Sequence, residues 1–280
     1  MTDSRTRQWD EYERVDGVAV VTGGASGIGL SMARAYAARG ARVLIADVDQ
    51  AALDRACVDL LRSGSEVRAM TVDVTALDAV TSLSHVAGEM GPIAAVCLNA
   101  GVMASGSPAW EIKPELVDFV MSVNLRSLFG CVAAFVPRLI AQSRPAELII
   151  TASMAGLTAV PFSAAYAASK AGAIALAKSL RIELEQTAPS VRLALLNPGM
   201  VATNLIRTSA VRGPLGNGPD PTTDGMHEAL NAAGVNPDDA VGWAFDALRD
   251  GTFWALPPAR DPFVGVLTAE LDQLKAALQS

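Results

Sequence analysis

Residues 17–40 run without a break from a buried strand into a glycine turn and then a helix. Gly17-Val-Ala-Val-Val-Thr22 is short, apolar and rich in β-branched side chains, the signature of a strand covered on both faces. Gly23-Gly-Ala-Ser-Gly27-Ile-Gly29 follows at once, and an Ala-rich helical stretch, 30–39, ends at Gly40. Glycines at that spacing let a turn close tightly. They also let backbone N–H groups at the helix start approach a pyrophosphate. Gly23, Ser26, Gly27, Ile28 and Gly29 are therefore candidate cofactor contacts.

The next segment repeats the theme. Arg42-Val-Leu-Ile-Ala-Asp47 reads as a second strand ending in a carboxylate, about where an acid holds the 2′-hydroxyl of a dinucleotide's adenosine ribose. A carboxylate there favours the free diol of NAD and repels the 2′-phosphate of NADP. The other role open to Asp47 is to cap the helix beginning near Gln50. Strands and helices then alternate: helix 50–62, strand 66–72, helix 76–88, strand 94–98, a long helical stretch 114–143, strand 147–152, helix 163–180 and strand 191–196. This predicts an α/β chain with a single doubly wound parallel sheet of Rossmann type and helices on both faces. In such a sheet every strand's C-terminal end lies on one edge, where ligands bind. The glycine turn, Asp47, Asp73, Asn99, Ser153 and 198–203 all fall just past strand ends, so they share that edge although they are scattered in sequence.

On the predicted helix 163–180, Tyr166 and Lys170 stand four residues apart and so on one face. An ammonium beside a phenol favours the phenolate and lowers a pKa that is ordinarily near ~10. A phenol poised nearer neutrality can pass a proton to or from an oxygen. Taken singly, Ser153 reads equally as a turn cap, and Asn124 as a satisfied buried amide.

Composition removes several function classes. Of 280 residues, 51% are hydrophobic and 18% charged, which supports a large core. The net charge of −7 gives neither nucleic acid nor an anionic membrane a reason to bind. Cys57, Cys97 and Cys131 share no ligand spacing, and with only two histidines a metal site is not expected. Sparse, odd-numbered thiols and a polar first fifteen residues fit a soluble protein of the cytoplasm. The expected organisation is a flexible tail over 1–14 and one domain over 15–280. The Gly/Pro-rich region within 204–236 is expected to cover the ligand edge as a lid.

These residues together resemble the short-chain dehydrogenase/reductase family. The match runs from about residue 17 to 203 through Thr22-Gly-Gly-Ala-Ser-Gly-Ile-Gly29, Asp73-Val74, Asn99-Ala-Gly101, Asn124, Ser153, Tyr166-x-x-x-Lys170 and Pro198-Gly-Met-Val-Ala-Thr203. Leu98 stands where the family commonly has a further asparagine. The resemblance implies a catalytic tetrad: Tyr166 as acid/base, Lys170 tuning it and bonding the nicotinamide ribose, Ser153 holding the substrate oxygen, and Asn124 kinking its helix and holding a relay water. It implies NAD contacts at Gly23, Ile28, Gly29, Asp47, Asp73, Val74 and Asn99, with Ala100, Gly101, Pro198, Gly199, Val201 and Thr203 beside them. It also implies a homodimer or homotetramer paired through the two long helices.

Residues expected to face the substrate are Val102, Met103, Met154, Val160, Phe162, Met200, Leu205 and Ile206. The set is apolar and holds no base, so an anionic substrate lacks a partner there. The expected activity is NAD-dependent interconversion of an uncharged, hydrophobic secondary alcohol and its ketone. The alternatives are a 3-oxoacyl reductase, which wants NADP and a basic docking patch, and a non-catalytic cofactor sensor on the same fold.

Overall fold

The computed structural model describes residues 9, 12–62, 64–104, 106–214 and 221–279. Seven strands form one sheet in the order β3-β2-β1-β4-β5-β6-β7. They are β1 (Val18–Thr22), β2 (Arg42–Asp47), β3 (Val67–Thr71), β4 (Ile93–Leu98), β5 (Ala146–Thr151), β6 (Val191–Leu196) and β7 (Trp254–Ala255). Every neighbouring pair is parallel. The strand order reverses between β1 and β4, which opens a crevice at their C-terminal ends.

Side-chain alternation along β1 explains the two helix layers. Val18 and Val20 enter a core built with α3 (Leu77–Met90), α5 (Ser127–Ala141) and α6 (Ala164–Thr187). Ala19 and Val21 enter a second core with α1 (Gly27–Ala38), α2 (Gln50–Arg62) and α9 (Pro237–Arg249). A strand buried on both faces cannot alternate polar and apolar residues, hence the uninterrupted apolar run.

The expected long helical stretch 114–143 is continuous over Pro114–Ala141 and changes its winding part-way. α4 (Pro114–Met121) and α5 are joined by a wider π-type turn at Ser122–Arg126, which contains Asn124. Among the described residues, the stretch Pro114–Ala141 is the one helix long and apolar enough to cross a membrane by length and composition. Here α5 buries Leu128, Phe135 and Leu139 in the protein core. The α6 helix runs past the expected residue 180 to Thr187.

One expectation about the N-terminus is corrected. The N-terminal tail does not stay free as far as residue 14. Tyr12 is buried, its hydroxyl donates to Asp246 Oδ1 at 2.9 Å, and both Trp9 and Tyr12 pack edge-on against Phe245 of α9. Residues 1–8, 10 and 11 lie outside the described residues. At the other end, α10 (Pro262–Gln279) leaves Leu271, Leu274 and Leu278 45%, 58% and 79% exposed. Within the region 204–236, α7 (Leu205–Arg212) and α8 (Pro221–Ala233) are helical, and 215–220 lie outside the described residues.

One buried charge cluster stiffens the side of the sheet opposite the crevice. Glu147 of β5 accepts both Nη atoms of Arg39 at 2.9 Å and the Tyr36 hydroxyl at 2.8 Å, with Arg192 adding a bond at 3.1 Å. A carboxylate in a sheet interior is tolerable only when its oxygens are satisfied in this way.

Candidate active site

The site is built at the crevice by backbone approach. Gly23 has φ +64°, and a Cβ there would lie 2.9 Å from Ala100 Cα. The turn after β1 therefore sits directly against the loop after β4. Gly29 is tighter still, because a Cβ would meet Gly23 O at 2.0 Å. Gly29 faces this packing rather than the cavity, so it shapes the turn from behind. Thr22 locks the two loops together: its hydroxyl donates to Cys97 O and accepts from Asn99 N at 2.9 Å and Ala100 N at 3.2 Å. The Asn99 amide donates back to Thr22 O and Gly23 O.

Beyond the turn, α1 begins with an N-terminus that no side chain caps. Ser26 is extended and makes no side-chain cap bond, and the first turn carries no acid. Its orphan N–H groups and positive dipole end therefore face the crevice, where they suit a pyrophosphate. Asp47 is fixed nearby, accepting from Asp49 N at 3.1 Å and, more weakly, from Ala25 N at 3.4 Å. The capping role considered for Asp47 belongs to Asp49, which accepts from Ala52 N at 2.9 Å in the first turn of α2.

One continuous cavity of about 1480 Å³ joins these parts. Gly23, Ser26, Gly27, Ile28 and Asp47 line one end, and Asp73, Val74, Asn99, Ala100 and Gly101 line the adjoining wall. Ser153, Tyr166 and Lys170 lie further in, with Pro198, Gly199, Val201 and Thr203 opposite. The volume exceeds the usual ligand pocket, leaving room for a dinucleotide and a second molecule.

Tyr166, Ser153 and Lys170 are all buried. Tyr166 is within hydrogen-bonding reach of Ser153, and Lys170 Nζ donates to Thr151 O at 3.1 Å. The expected lowering of the Tyr166 pKa does not occur in this state. Burial pushes the phenol up from its ordinary value, and the Ser153 hydroxyl only partly offsets this. Lys170 Nζ stands 5.8 Å from the Tyr166 ring centroid and gives its hydrogen bond to Thr151 O instead. Burial in turn pushes the Lys170 ammonium down to about 8. Tyr166 thus holds its proton near neutral pH, a state suited to donation.

Asn124 lies behind this group rather than in the cavity. Its Nδ2 donates to Val102 O at 2.8 Å and Ser169 Oγ at 3.0 Å, and its Oδ1 accepts from Val102 N at 2.8 Å. The buried amide is satisfied, as its plain reading had it, and it ties the β4 loop to α6. Ser169, which donates to Tyr166 O, is a supporting residue that sequence reasoning missed. Ser153 also fulfils its plain reading, accepting from Ala155 N at 3.1 Å.

The substrate-facing set divides. Val102, Met103, Val160, Met200 and Leu205 line the cavity. Met154 does not: Ser153 is extended and caps the short 3-10 turn Met154–Gly156, which turns Met154 wholly into the interior. Phe162 points outward at 60% exposure, and Ile206 is buried away from the cavity. Phe119, Val123 and Phe263 line the cavity instead. Their position follows from how α4 and α10 dock, which no local motif signals.

A family model described as short chain dehydrogenase matches residues 17–211. The chain belongs to the short-chain dehydrogenase family. It is 40% identical over 238 residues to a 1-deoxy-11-beta-hydroxypentalenate dehydrogenase of Streptomyces exfoliatus, spanning 84% of this chain and 81% of that protein. A protein of the same name from Streptomyces arenae is 40% identical over 242 residues, spanning 84% and 80%. Among solved structures, a short-chain dehydrogenase/reductase from Burkholderia phymatum in complex with NAD superposes with a TM-score of 0.86 at 27% identity, covering 95% of this chain and 96% of that one. As a short-chain dehydrogenase the chain is an oxidoreductase, and the seven-stranded parallel sheet is that of its solved relatives.

Proposed function

We propose that this short-chain dehydrogenase interconverts a hydrophobic, uncharged, cyclic secondary alcohol and its ketone with NAD. The observation that carries the reading is the cavity itself: one space runs from the uncapped α1 turn and Asp47 to Tyr166, Ser153 and Lys170, then to an apolar wall. NAD, when bound, supplies the hydride acceptor, and NADH the donor. The residues fitted to hold it are Gly23, Ser26, Gly27 and Ile28 at the phosphates, Asp47 at the adenosine ribose, and Asp73 and Val74 beside the adenine. Asn99, Lys170, Val201 and Thr203 lie towards the nicotinamide end.

Tyr166 acts on the substrate oxygen. It donates its proton to a carbonyl being reduced or takes the hydroxyl proton of an alcohol being oxidised. Ser153 bonds the same oxygen and aligns it. Lys170, held by Thr151 O, keeps a positive charge close to the developing phenolate. Asn124 holds the β4 loop and α6 in register, and so positions the wall opposite Tyr166.

Preference for NAD over NADP is supported by the local charge. Asp47 and Asp49 both line the adenosine end of the cavity. A 2′-phosphate there meets two carboxylates, one of them already paired with Arg212, whereas a free diol donates to Asp47. Asp47→Ala should weaken NAD binding by about 2 kcal/mol, the worth of a charge-assisted bond, and narrow the preference over NADP. Titration of both cofactors by fluorescence checks this; a wild type that prefers NADP refutes it.

The substrate class is supported by the apolar wall. Arg207, on α7, is drawn to Asp224 at 3.3 Å and does not line the cavity. The Streptomyces relatives are named for a hydroxypentalenate, which agrees in its hydroxyl and departs from the proposed class in being a carboxylate. Uncharged polycyclic secondary alcohols and their carboxylated analogues should be compared with NAD, following absorbance of the reduced cofactor. The uncharged set is expected to turn over faster; activity confined to the carboxylates overturns the uncharged assignment. The exposed Phe129 and Ile140 of α5 and Ile182 of α6 support pairing of two copies through these helices. Three unpaired thiols suit a cytoplasmic setting.

A further inference from the structure

Arg212, the last residue of α7, reaches across the cavity mouth to the far end of the cofactor groove. Its Nη2 donates to Asp49 Oδ2 at 3.2 Å, and its Nη1 stands 3.7 Å from Asp47 Oδ1. Asp47 ends β2 and Asp49 lies two residues on, both more than 160 residues earlier in the chain. Arg212, Asp47 and Asp49 all line the cavity. Asp49 is well prepared for the contact. Its carboxyl is held below the usual range, first by the Ala52 N–H and also by the guanidinium groups of Arg212 and Arg55.

The other end of α7 belongs to the substrate. Leu205 and Thr208 line the apolar part of the cavity, and Ser209 Oγ accepts from Met103 N at 2.9 Å. Eight helical residues, about 12 Å of helix, therefore connect the substrate wall to the adenosine end. The two contacts of Arg212 are unequal. The shorter goes to Asp49, which does not need to release it for a ribose diol to occupy Asp47.

We propose that Arg212 is a cofactor clamp: with the ribose hydroxyls on Asp47, the Arg212–Asp49 pair closes over the adenosine end of the groove and slows cofactor release. The proposal rests on the NAD reading above. Arg212 is a positioning residue, acting through Asp49 and the α7 backbone. A half-exposed ion pair adds little to folding stability, so melting temperature is a poor readout and dissociation rate is the proper one.

NADH release from the full-length protein should be followed by stopped-flow fluorescence at low and high salt. Arg212→Ala is expected to speed release about fivefold at low salt, with the difference shrinking as salt screens the pair. Asp49→Asn keeps the helix cap and should reproduce the effect. The double substitution should add nothing further, and Arg212→Lys should restore part of the slow release. A second readout needs no turnover. Trypsin cleavage after Arg212, located by mass spectrometry, should be suppressed by NADH in the wild type and not in Asp49→Asn. Unchanged release in Arg212→Ala, or additive effects of the two substitutions, overturns the clamp while leaving the NAD reading intact. A wild type that binds no NADH removes both.

Discussion

Tyr166→Phe is expected to lower turnover about a thousandfold while leaving cofactor affinity unchanged. The phenol is buried at the junction of the cofactor and substrate parts of the cavity, and its hydroxyl is the one proton donor there that Ser153 also touches. Phenylalanine keeps the ring that packs in α6 and removes only the oxygen. Folding should lose about 1 kcal/mol, the worth of one buried hydrogen bond, far too little to explain the loss of rate. The measurement pairs steady-state turnover with cofactor titration and thermal unfolding on the same preparation. Rates close to wild type refute the acid/base role. A collapse of cofactor binding in step with the rate assigns Tyr166 to structure instead. The direction of its pKa shift adds a further expectation. Burial favours the neutral phenol, so ketone reduction, which consumes that proton, should hold its rate through neutral pH and fall as Tyr166 ionises in base.

Much of this site was legible because a parallel sheet converts sequence order into spatial order. The strands, covered on both faces, appear as continuous apolar runs, and each is followed by the residue that the C-terminal edge presents. Hence Gly23, Asp47, Asn99, Ser153 and Pro198 could be assigned to one place without a single contact being known, and all of them line the cavity. The failures have a common cause. Met154 is expected in the pocket as an apolar residue next to a site serine, yet a turn of three residues decides where it points. The Tyr166 pKa was argued from one charge at helical spacing, while burial, a property of the whole fold, outweighed it. Tyr12 looked like tail because nothing local reveals that Phe245 and Asp246 wait on α9. The Arg212–Asp49 contact joins two exposed-looking polar residues across most of the chain, and no periodicity marks it.

Lys170→Met should abolish most turnover and at the same time raise stability at neutral pH. Lys170 is buried, and its one hydrogen bond on the protein side goes to Thr151 O. Burial lowers its pKa from 10.5 to about 8, so the native state binds this proton more weakly than the unfolded chain does. The sign follows from linkage: where the unfolded state holds more protons, stability rises with pH. Below about pH 8 the folded protein carries the ammonium and bears its full desolvation cost, about 3 kcal/mol for a depression of this size. Between pH 8 and 10.5 the native state sheds the proton and the cost fades. Methionine fills the same volume without charge, so the variant should unfold at higher temperature than wild type at pH 7, and the gap should close as pH rises through that window. Thermal unfolding of both proteins across the pH series checks this. Equal stabilities at pH 7, or a gap that widens with pH, would mean that the buried ammonium is solvated or paired far better than its surroundings allow. A loss of rate in the same variant would tie the two expectations together: under the proposed mechanism, a charge that costs the fold stability serves the phenolate forming four residues away.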